Sequence, residues 1–82
     1  MKKTINSKHG KIISQRLVEI RTKAGLTQRA LAKKLNREPS LVAHCELGQR
    51  RIDLAEFYWI CTACGAIAHQ EASDLMKAFD QI

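Results

Sequence analysis

Apolar residues recur at helical spacing along the whole 82-residue chain and nowhere alternate as they would in a half-buried strand. Breaks rich in glycine, proline and asparagine divide this pattern into five short segments. In the first, Ile13, Leu17 and Ile20 form one apolar stripe, and Gly25 follows as a stop signal. The sequence therefore predicts a small, single, all-α domain of five helices.

Residues 27–47 have the layout of two short helices joined by a tight turn. Thr27 is a good N-cap for the first of these helices. The break falls at residues 36–38, and Pro39 suits the first turn of the next helix, where its missing N–H is no loss. Gly48 ends that helix. We therefore expect a helix-turn-helix at residues 27–47.

Two more helices are predicted after this motif. Asp53 followed by Glu56 has the spacing of a capping box, which starts a fourth helix that runs to Gly65. The apolar side of a fifth helix is formed by Ala72, Leu75, Met76 and Phe79. We expect residues 1–11 to be a basic, partly flexible arm. Residues 12–82 would form the domain, with residues 53–82 contributing both core and a dimerisation surface.

Charge is distributed unevenly along the chain. Residues 1–51 hold thirteen lysines and arginines against three acidic residues, a net +10, whereas residues 52–82 hold one lysine against five acidic residues, a net −4. Such asymmetry suggests that the first half binds a polyanion. A solvated basic surface kept for solubility would give the same count, so the motif has to decide between the two.

The motif and its flanks carry a recognisable set of residues in register: Gly25-Leu26-Thr27-Gln28, Leu31-Ala32, Val42, Glu46, Gly48 and Arg50-Arg51. Over about residues 12–65 the chain resembles the phage-repressor and Cro-type helix-turn-helix family, also called the xenobiotic-response-element (XRE) family. The resemblance implies a lambda-repressor-like, five-helix DNA-binding domain. It also implies that the second helix of the motif lies in the major groove of double-stranded DNA.

The resemblance also assigns roles to residues that do not contact base edges. Arg21 and Glu46 match the positions of a partly buried ion pair, although two unrelated surface charges would read the same. Gln28 would brace the recognition helix, and it opens a helix whose free N–H groups favour a phosphate. Phosphate contacts are expected from Gln28, Arg29, Arg37, Arg50 and Arg51.

Base-edge contacts are expected from the recognition helix, at Glu38, Ser40, Leu41, Ala43 and His44. Two departures from the family stand at its start. Pro39 replaces a polar side chain and offers no side-chain hydrogen bond, and Glu38 can accept from cytosine N4 but repels phosphates. His44 is either a plain neutral contact or a group whose titration makes affinity pH-dependent.

Cys61 and Cys64 form a C-x-x-C pattern inside a predicted helix. One turn apart, they share a face, which favours core packing over metal binding or redox sensing. A zinc site needs more ligands, and the candidates are Cys45, already assigned to the core, with His44 and His69. We therefore predict thiols and no metal or cofactor. No nucleophile, base and orienting acid stand together, so an enzyme is not expected.

Residues 57–61 are apolar on every side, so one side remains after the core is filled. An apolar surface of this kind is expected to hold two copies together, and we assign it to Trp59, Leu75, Met76, Phe79 and Ile82. A homodimer would match a two-fold symmetric operator. The alternative is that the fifth helix folds back over the fourth within one chain.

These inferences predict a sequence-specific transcriptional regulator, a repressor, acting as a homodimer on a palindromic operator. The alternative is an antitoxin-like or adaptor protein that binds a protein partner through its apolar C-terminal helices, and a thiol- or metal-responsive regulator is a third reading. No apolar run is long enough to span a membrane or serve as a signal peptide. We expect a cytoplasmic protein associated with the bacterial nucleoid.

Overall fold

A computed structural model describes residues 7–82, and within them the chain forms five helices and no strand. The helices are α1 (Lys8–Lys23), α2 (Gln28–Lys34), α3 (Pro39–Glu46), α4 (Leu54–Ala63) and α5 (Ala68–Phe79). This confirms the predicted all-α architecture with a helix-turn-helix formed by α2 and α3. None of the described helices is long and apolar enough to cross a membrane.

Three of the helices begin at side-chain caps. The hydroxyl of Thr27 accepts from the N–H of Ala30 at 3.0 Å, and Asp53 accepts from the N–H of Glu56 at 2.7 Å. The carboxylate of Glu56 accepts in turn from the N–H of Asp53, which completes the predicted capping box. The third cap is Ser7, whose hydroxyl accepts from Gly10.

The Ser7 cap corrects the expected N-terminal boundary. It starts α1 at Lys8, so residues 8–11 are helical and do not belong to a flexible arm. The apolar stripe of α1 begins only at Ile12, which is why periodicity places the start too late. The rest of the expected arm, residues 1–6, lies outside the described residues.

The turn between α2 and α3 is closed by Asn36, which has a positive φ of 56°. Asparagine is one of the few non-glycine residues that adopt this left-handed conformation at low cost. It lets the N–H of Arg37 donate to the carbonyl of Ala32 at 2.9 Å and so ends α2. Gly48 does the same after α3, where the N–H of Gln49 donates to the carbonyl of His44.

The core joins all five helices in one cluster of buried residues: Leu17, Ile20, Leu31, Ala32, Val42, Cys45, Phe57, Ile60, Cys61 and Leu75. Ala32 is fully buried on α2, the helix that packs against α3. A larger side chain there would push α3 outward. The small residue thus fixes how closely the two helices of the motif approach.

The position of α5 corrects part of the expected dimer surface. This helix packs against α1 and α4 of its own chain. Leu75 is only 5% exposed, and Phe79 packs against the core with its ring edge-on to His9, the centroids 5.0 Å apart. Both were assigned to an interface between copies, but they cover the chain's own core. Met76 and Ile82 are exposed.

Candidate nucleic-acid interface

The C-terminal end of α3 is fixed by Glu46, whose side chain is only 6% exposed. Its Oε2 accepts from Nε of Arg21 at 2.6 Å, and its Oε1 accepts from Nη2 of the same arginine at 3.0 Å. Gln28 donates to Oε1 at 3.0 Å from its Nε2. One carboxylate therefore ties α3 to both α1 and α2, as the resemblance implied for Arg21, Glu46 and the bracing role of Gln28.

Arg21 is itself held by more than Glu46. Its Nη1 donates to the carbonyl of Leu26 at 2.9 Å, next to the loop that leads into α2. The hydrogen bonds with Glu46 raise the pKa of Arg21, so its guanidinium stays protonated. Two parallel N–H to oxygen bonds also fix an orientation that a single contact would leave free. The recognition helix thus has a defined angle to the rest of the domain.

The outer face of α3 is open to solvent. Ser40 and His44 are exposed one turn apart, and Ala43 is partly exposed beside them. Glu38 is exposed at the N-cap, and its side chain makes no capping hydrogen bond. Leu47, which ends the helix, is also exposed. These side chains lie where a helix inserted into the major groove would meet base edges.

Leu41 does not belong to this face. The sequence predicts a base-edge contact at Leu41, but this side chain is partly buried against the core and faces Trp59 and Ile60 of α4 across a groove. Residues 41 and 45 lie four apart and share one side of the helix, and Cys45 is buried. That correction leaves four of the five expected base contacts on the open face or its start.

The arginines expected to contact phosphates divide into two groups. Arg29, Arg37 and Arg51 are exposed, and none of them forms an ion pair within residues 7–82. Arg50 instead donates to the carboxylate of Glu56 twice, from Nη1 at 3.1 Å and from Nη2 at 2.8 Å. Its Nη1 also donates to the carbonyl of Arg51 at 3.0 Å. The structure therefore gives Arg50 an intramolecular role.

Comparison with known proteins supports this geometry. A family described as "Helix-turn-helix domain" matches residues 12–75, most of the chain. The chain belongs to this family. An XRE-family like protein from Pseudomonas syringae pv. tomato str. DC3000 is 33% identical over 85% of each chain, with a TM-score of 0.80.

More distant relatives of this helix-turn-helix protein share the fold. The restriction-modification controller protein C.AhdI from Aeromonas hydrophila is 32% identical over 76% of this chain and 94% of its own, with a TM-score of 0.68. The clp gene regulator ClgR from C. glutamicum is 19% identical, covers 89% and 95% of the two chains, and has a TM-score of 0.75; at that identity it shows the fold alone. Comparison with curated proteins gives no match.

These likenesses establish the coarse function. The protein is a DNA-binding transcription regulator of the XRE type, and it is not an enzyme. The residues that match the family, 12–75, include α2 and α3, so the conclusion rests on the same motif whose geometry is described above.

The cysteines pack rather than react. Cys61 is fully buried and Cys45 nearly so, whereas Cys64 is partly buried against the core. Burial raises the pKa of Cys61 to about 11 and raises the pKa of the other two thiols as well. A thiol with a raised pKa is a poor nucleophile at neutral pH. Among the described residues no group of three or more potential ligands is placed to hold a metal ion.

Two features of the site escape prediction from the sequence. The Arg50–Glu56 ion pair is one, because Glu56 already has a role in the capping box and the spacing of residues 50 and 56 does not indicate a second role for it. The other is the groove between α3 and α4, since its walls come from residues far apart in the chain. A helical wheel of each segment alone would show only that Leu41 and Trp59 lie beside buried positions.

Proposed function

We propose that this regulator is a homodimeric repressor that binds a palindromic operator in the cytoplasm, associated with the bacterial nucleoid. The supporting observation is the open face of α3, fixed at one end by Glu46 and flanked by exposed arginines. Arg29, Arg37 and Arg51 would supply sequence-independent affinity through phosphates. Glu38, Ser40, Ala43 and His44 would supply the specificity.

The proposed homodimer rests on the outer face of α4. The exposed residues of this helix have the spacing of one helical face: Leu54, Ala55, Tyr58, Trp59 and Thr62. Leu54 is 77% exposed and Trp59 53%. A contiguous apolar surface of this kind marks an interaction site. Leu54 and Tyr58 join the expected interface residues, Trp59 lies at the edge of this face on the side of the α3–α4 groove, and Met76 and Ile82 stay candidates because both are exposed.

Repression would follow from occupancy of the operator by the dimer. Two recognition helices related by a two-fold axis would enter successive major grooves, about 34 Å apart. A dimer that covers such a site excludes other proteins from it. The antitoxin-like or adaptor alternative rests on the same α4 outer face, which would then contact a different protein.

The first test is selection from a random duplex library at moderate and at high salt, followed by sequencing. A retained palindrome that survives added salt supports the proposal, and its half-site spacing reports the dimer. Retention without a motif, lost steeply with salt, would mean that the basic surface grips only phosphates. That result would favour the adaptor alternative.

Two variants then separate the roles within the interface. We expect Arg51→Ala to weaken binding to all sequences and to lower the salt slope by about one. His44→Ala should change the preference at one base position, and Lys77→Ala on α5 serves as the control for lost charge. If the first two variants lose affinity uniformly, His44 does not read bases.

The dimer has its own test. Tyr58→Asp should shift sedimentation equilibrium toward the monomer, because it places a charge in the α4 outer face. Ile67→Asp is the matched control, since Ile67 is equally exposed but lies at the start of α5. A monomer in the unmodified protein at all concentrations, or equal effects of the two variants, would remove α4 as the interface.

A further inference from the structure

An open groove of about 650 Å³ separates the end of α2 and one side of α3 from α4. Its apolar walls are formed by Leu35, Leu41, Ile52, Trp59, Ile60 and Ala63. Ile60 is buried at its base, Leu35, Leu41 and Ile52 are partly buried, and half of Trp59 is exposed. Ligand sites in proteins commonly measure about 300–1,000 Å³ and are mostly apolar, so the groove has the size and lining of one.

The charges around the groove are positive. Lys34, Arg37 and Arg50 line it together with one acid, Glu56, which already pairs with Arg50. Lys34 and Arg37 form no ion pair within the described part of the chain. Two uncompensated cations beside an apolar wall favour an occupant that is both apolar and anionic.

A second copy of the chain fits this groove poorly. A two-fold interface centred on it would bring Lys34 and Arg37 toward their own equivalents, and like charges repel. The acidic α5 of another copy would complement the charge. That contact, however, joins two different surfaces and would grow into an open chain of molecules. A small molecule avoids both difficulties.

We propose that this groove binds a small aromatic organic anion, with its ring against Trp59 and its acid group at Lys34 and Arg37. An offset or edge-on ring contact with an exposed tryptophan is favourable, and a planar carboxylate or sulfonate accepts two hydrogen bonds from an arginine. Small lining residues such as Ala63 and Thr62 leave room for the ring. The site goes beyond DNA binding and does not require it.

Occupancy of the groove has a consequence for the motif. Arg37 lies in the turn that leads into α3, while Leu41 and Cys45 belong to α3 itself. A bound anion would neutralise Arg37, one of the proposed phosphate contacts. The groove therefore offers a route by which a small anion reaches the DNA-binding surface without a separate effector domain.

The test is a titration with the aromatic anion 1-anilinonaphthalene-8-sulfonate in the absence of DNA. Trp59 is the only tryptophan, so its excitation reports bound dye through energy transfer, and the variants below locate that dye in the groove. We expect saturable transfer with one dye per chain. Arg37→Glu should weaken binding by about fivefold or more, because it removes one exposed charge contact and places a carboxylate beside the anion. Ala63→Leu should weaken it by filling the groove.

Matched variants make the titration decisive. Lys77→Glu on α5 changes the net charge as Arg37→Glu does, and it should leave dye binding unchanged. Trp59→Phe should abolish the transfer while directly excited dye still binds. Because the dye also binds partly unfolded chains, each variant must keep a cooperative melting transition. If Ala63→Leu does not fold, Arg37→Glu still tests the site, because Arg37 is exposed and its substitution leaves the core intact.

Three results would overturn the proposal. They are an absence of saturable transfer, equal binding by Arg37→Glu and Lys77→Glu, and loss of dye binding when the protein concentration is raised roughly tenfold. The last result would mean that another copy fills the groove. Since no DNA is present, failure of this site and failure of the proposed operator binding give separate results.

Discussion

The two ends of the recognition helix α3 are built differently. At its C-terminal end, Glu46 accepts three hydrogen bonds from Arg21 and Gln28, and just beyond it Arg50 pairs with Glu56. At its N-terminal end, Glu38 is exposed, its side chain makes no capping bond, and the helix starts with a proline. One end is fixed to the domain and the other presents itself to solvent.

The difference separates positioning from recognition. The Arg21–Glu46 ion pair has little exposure and holds α3 at a set angle, and its desolvation cost is offset because both carboxylate oxygens have partners. Within residues 7–82 the exposed end and outer face carry no such bonds, so their side chains remain available to DNA. Binding then does not have to break internal contacts, which keeps the ordering cost of association low. Variants at the fixed end should change stability, and variants at the open end should change DNA binding.

The largest effect is expected at Arg21. Arg21→Ala removes two hydrogen bonds to Glu46 and one to the carbonyl of Leu26. It also leaves the Glu46 carboxylate, whose side chain is only 6% exposed, without its cation. Removing one partner of a buried pair costs about 3 kcal/mol or more. Urea unfolding should show this loss as a lower midpoint with an unchanged slope.

The control for Arg21 is Arg16 on the same helix. Arg16 approaches Glu19 at 3.9 Å and Glu71 at 3.7 Å, distances longer than a hydrogen bond, so both ion pairs are weak. Arg16→Ala should therefore change the unfolding free energy by less than about 1 kcal/mol. If the two variants are equally stable, the Glu46 network does not fix α3.

The second prediction compares neighbours that the sequence does not distinguish. Arg50→Ala should lower stability by about 1–2 kcal/mol, because Glu56 loses a two-bond partner that holds the connector to α4. Arg51→Ala should leave stability nearly unchanged and instead lower the salt slope of DNA binding. Thermal melting and binding at several salt concentrations measure the two effects. A reduced salt slope for Arg50→Ala with unchanged melting would assign it to phosphates instead.

The third prediction concerns pH. The hydrogen bonds from Arg50 hold the pKa of Glu56 below its usual range. The pair therefore contributes its full stability above the unfolded-state pKa of about 4.3 and loses it as the pH falls through the lower folded-state pKa. The stability difference between the unmodified protein and Arg50→Ala should shrink over that acid range. A constant difference between pH 7 and pH 3 would contradict the pairing.

The features of the fold that depend on neighbouring residues are predicted correctly from the sequence. The caps at Thr27 and Asp53 and the break before Pro39 depend on residues within one turn, and the structure confirms them. The Arg21–Glu46 pair joins residues 25 apart, so it followed only from the family resemblance. Capping and turn signals therefore predict where the helices begin and end, whereas the family resemblance predicts how they pack against one another.

The errors lie where helices meet. Periodicity indicates that Leu41, Leu75 and Phe79 are apolar positions, but it does not say which neighbour covers them. In the structure α5 packs against α1 and α4, which buries Leu75 and brings Phe79 against His9. The side of α3 that carries Leu41 faces α4 rather than DNA. The Arg50–Glu56 pair is not predicted for the same reason, since Glu56 belongs to the next helix.

The smallest effect is expected at the open end. Glu38 has the extended backbone of an N-cap but no capping bond, so Glu38→Ser should stabilise α3 by about 0.5 kcal/mol through a bond like that of Thr27. It also removes a carboxylate near the expected phosphates, which should strengthen DNA binding at low salt. Glu38→Ala separates the two causes, because it removes the charge without supplying a cap. If the serine and alanine variants match in stability, the open end does not lack a cap; if neither binds DNA more tightly, Glu38 does not face the phosphates.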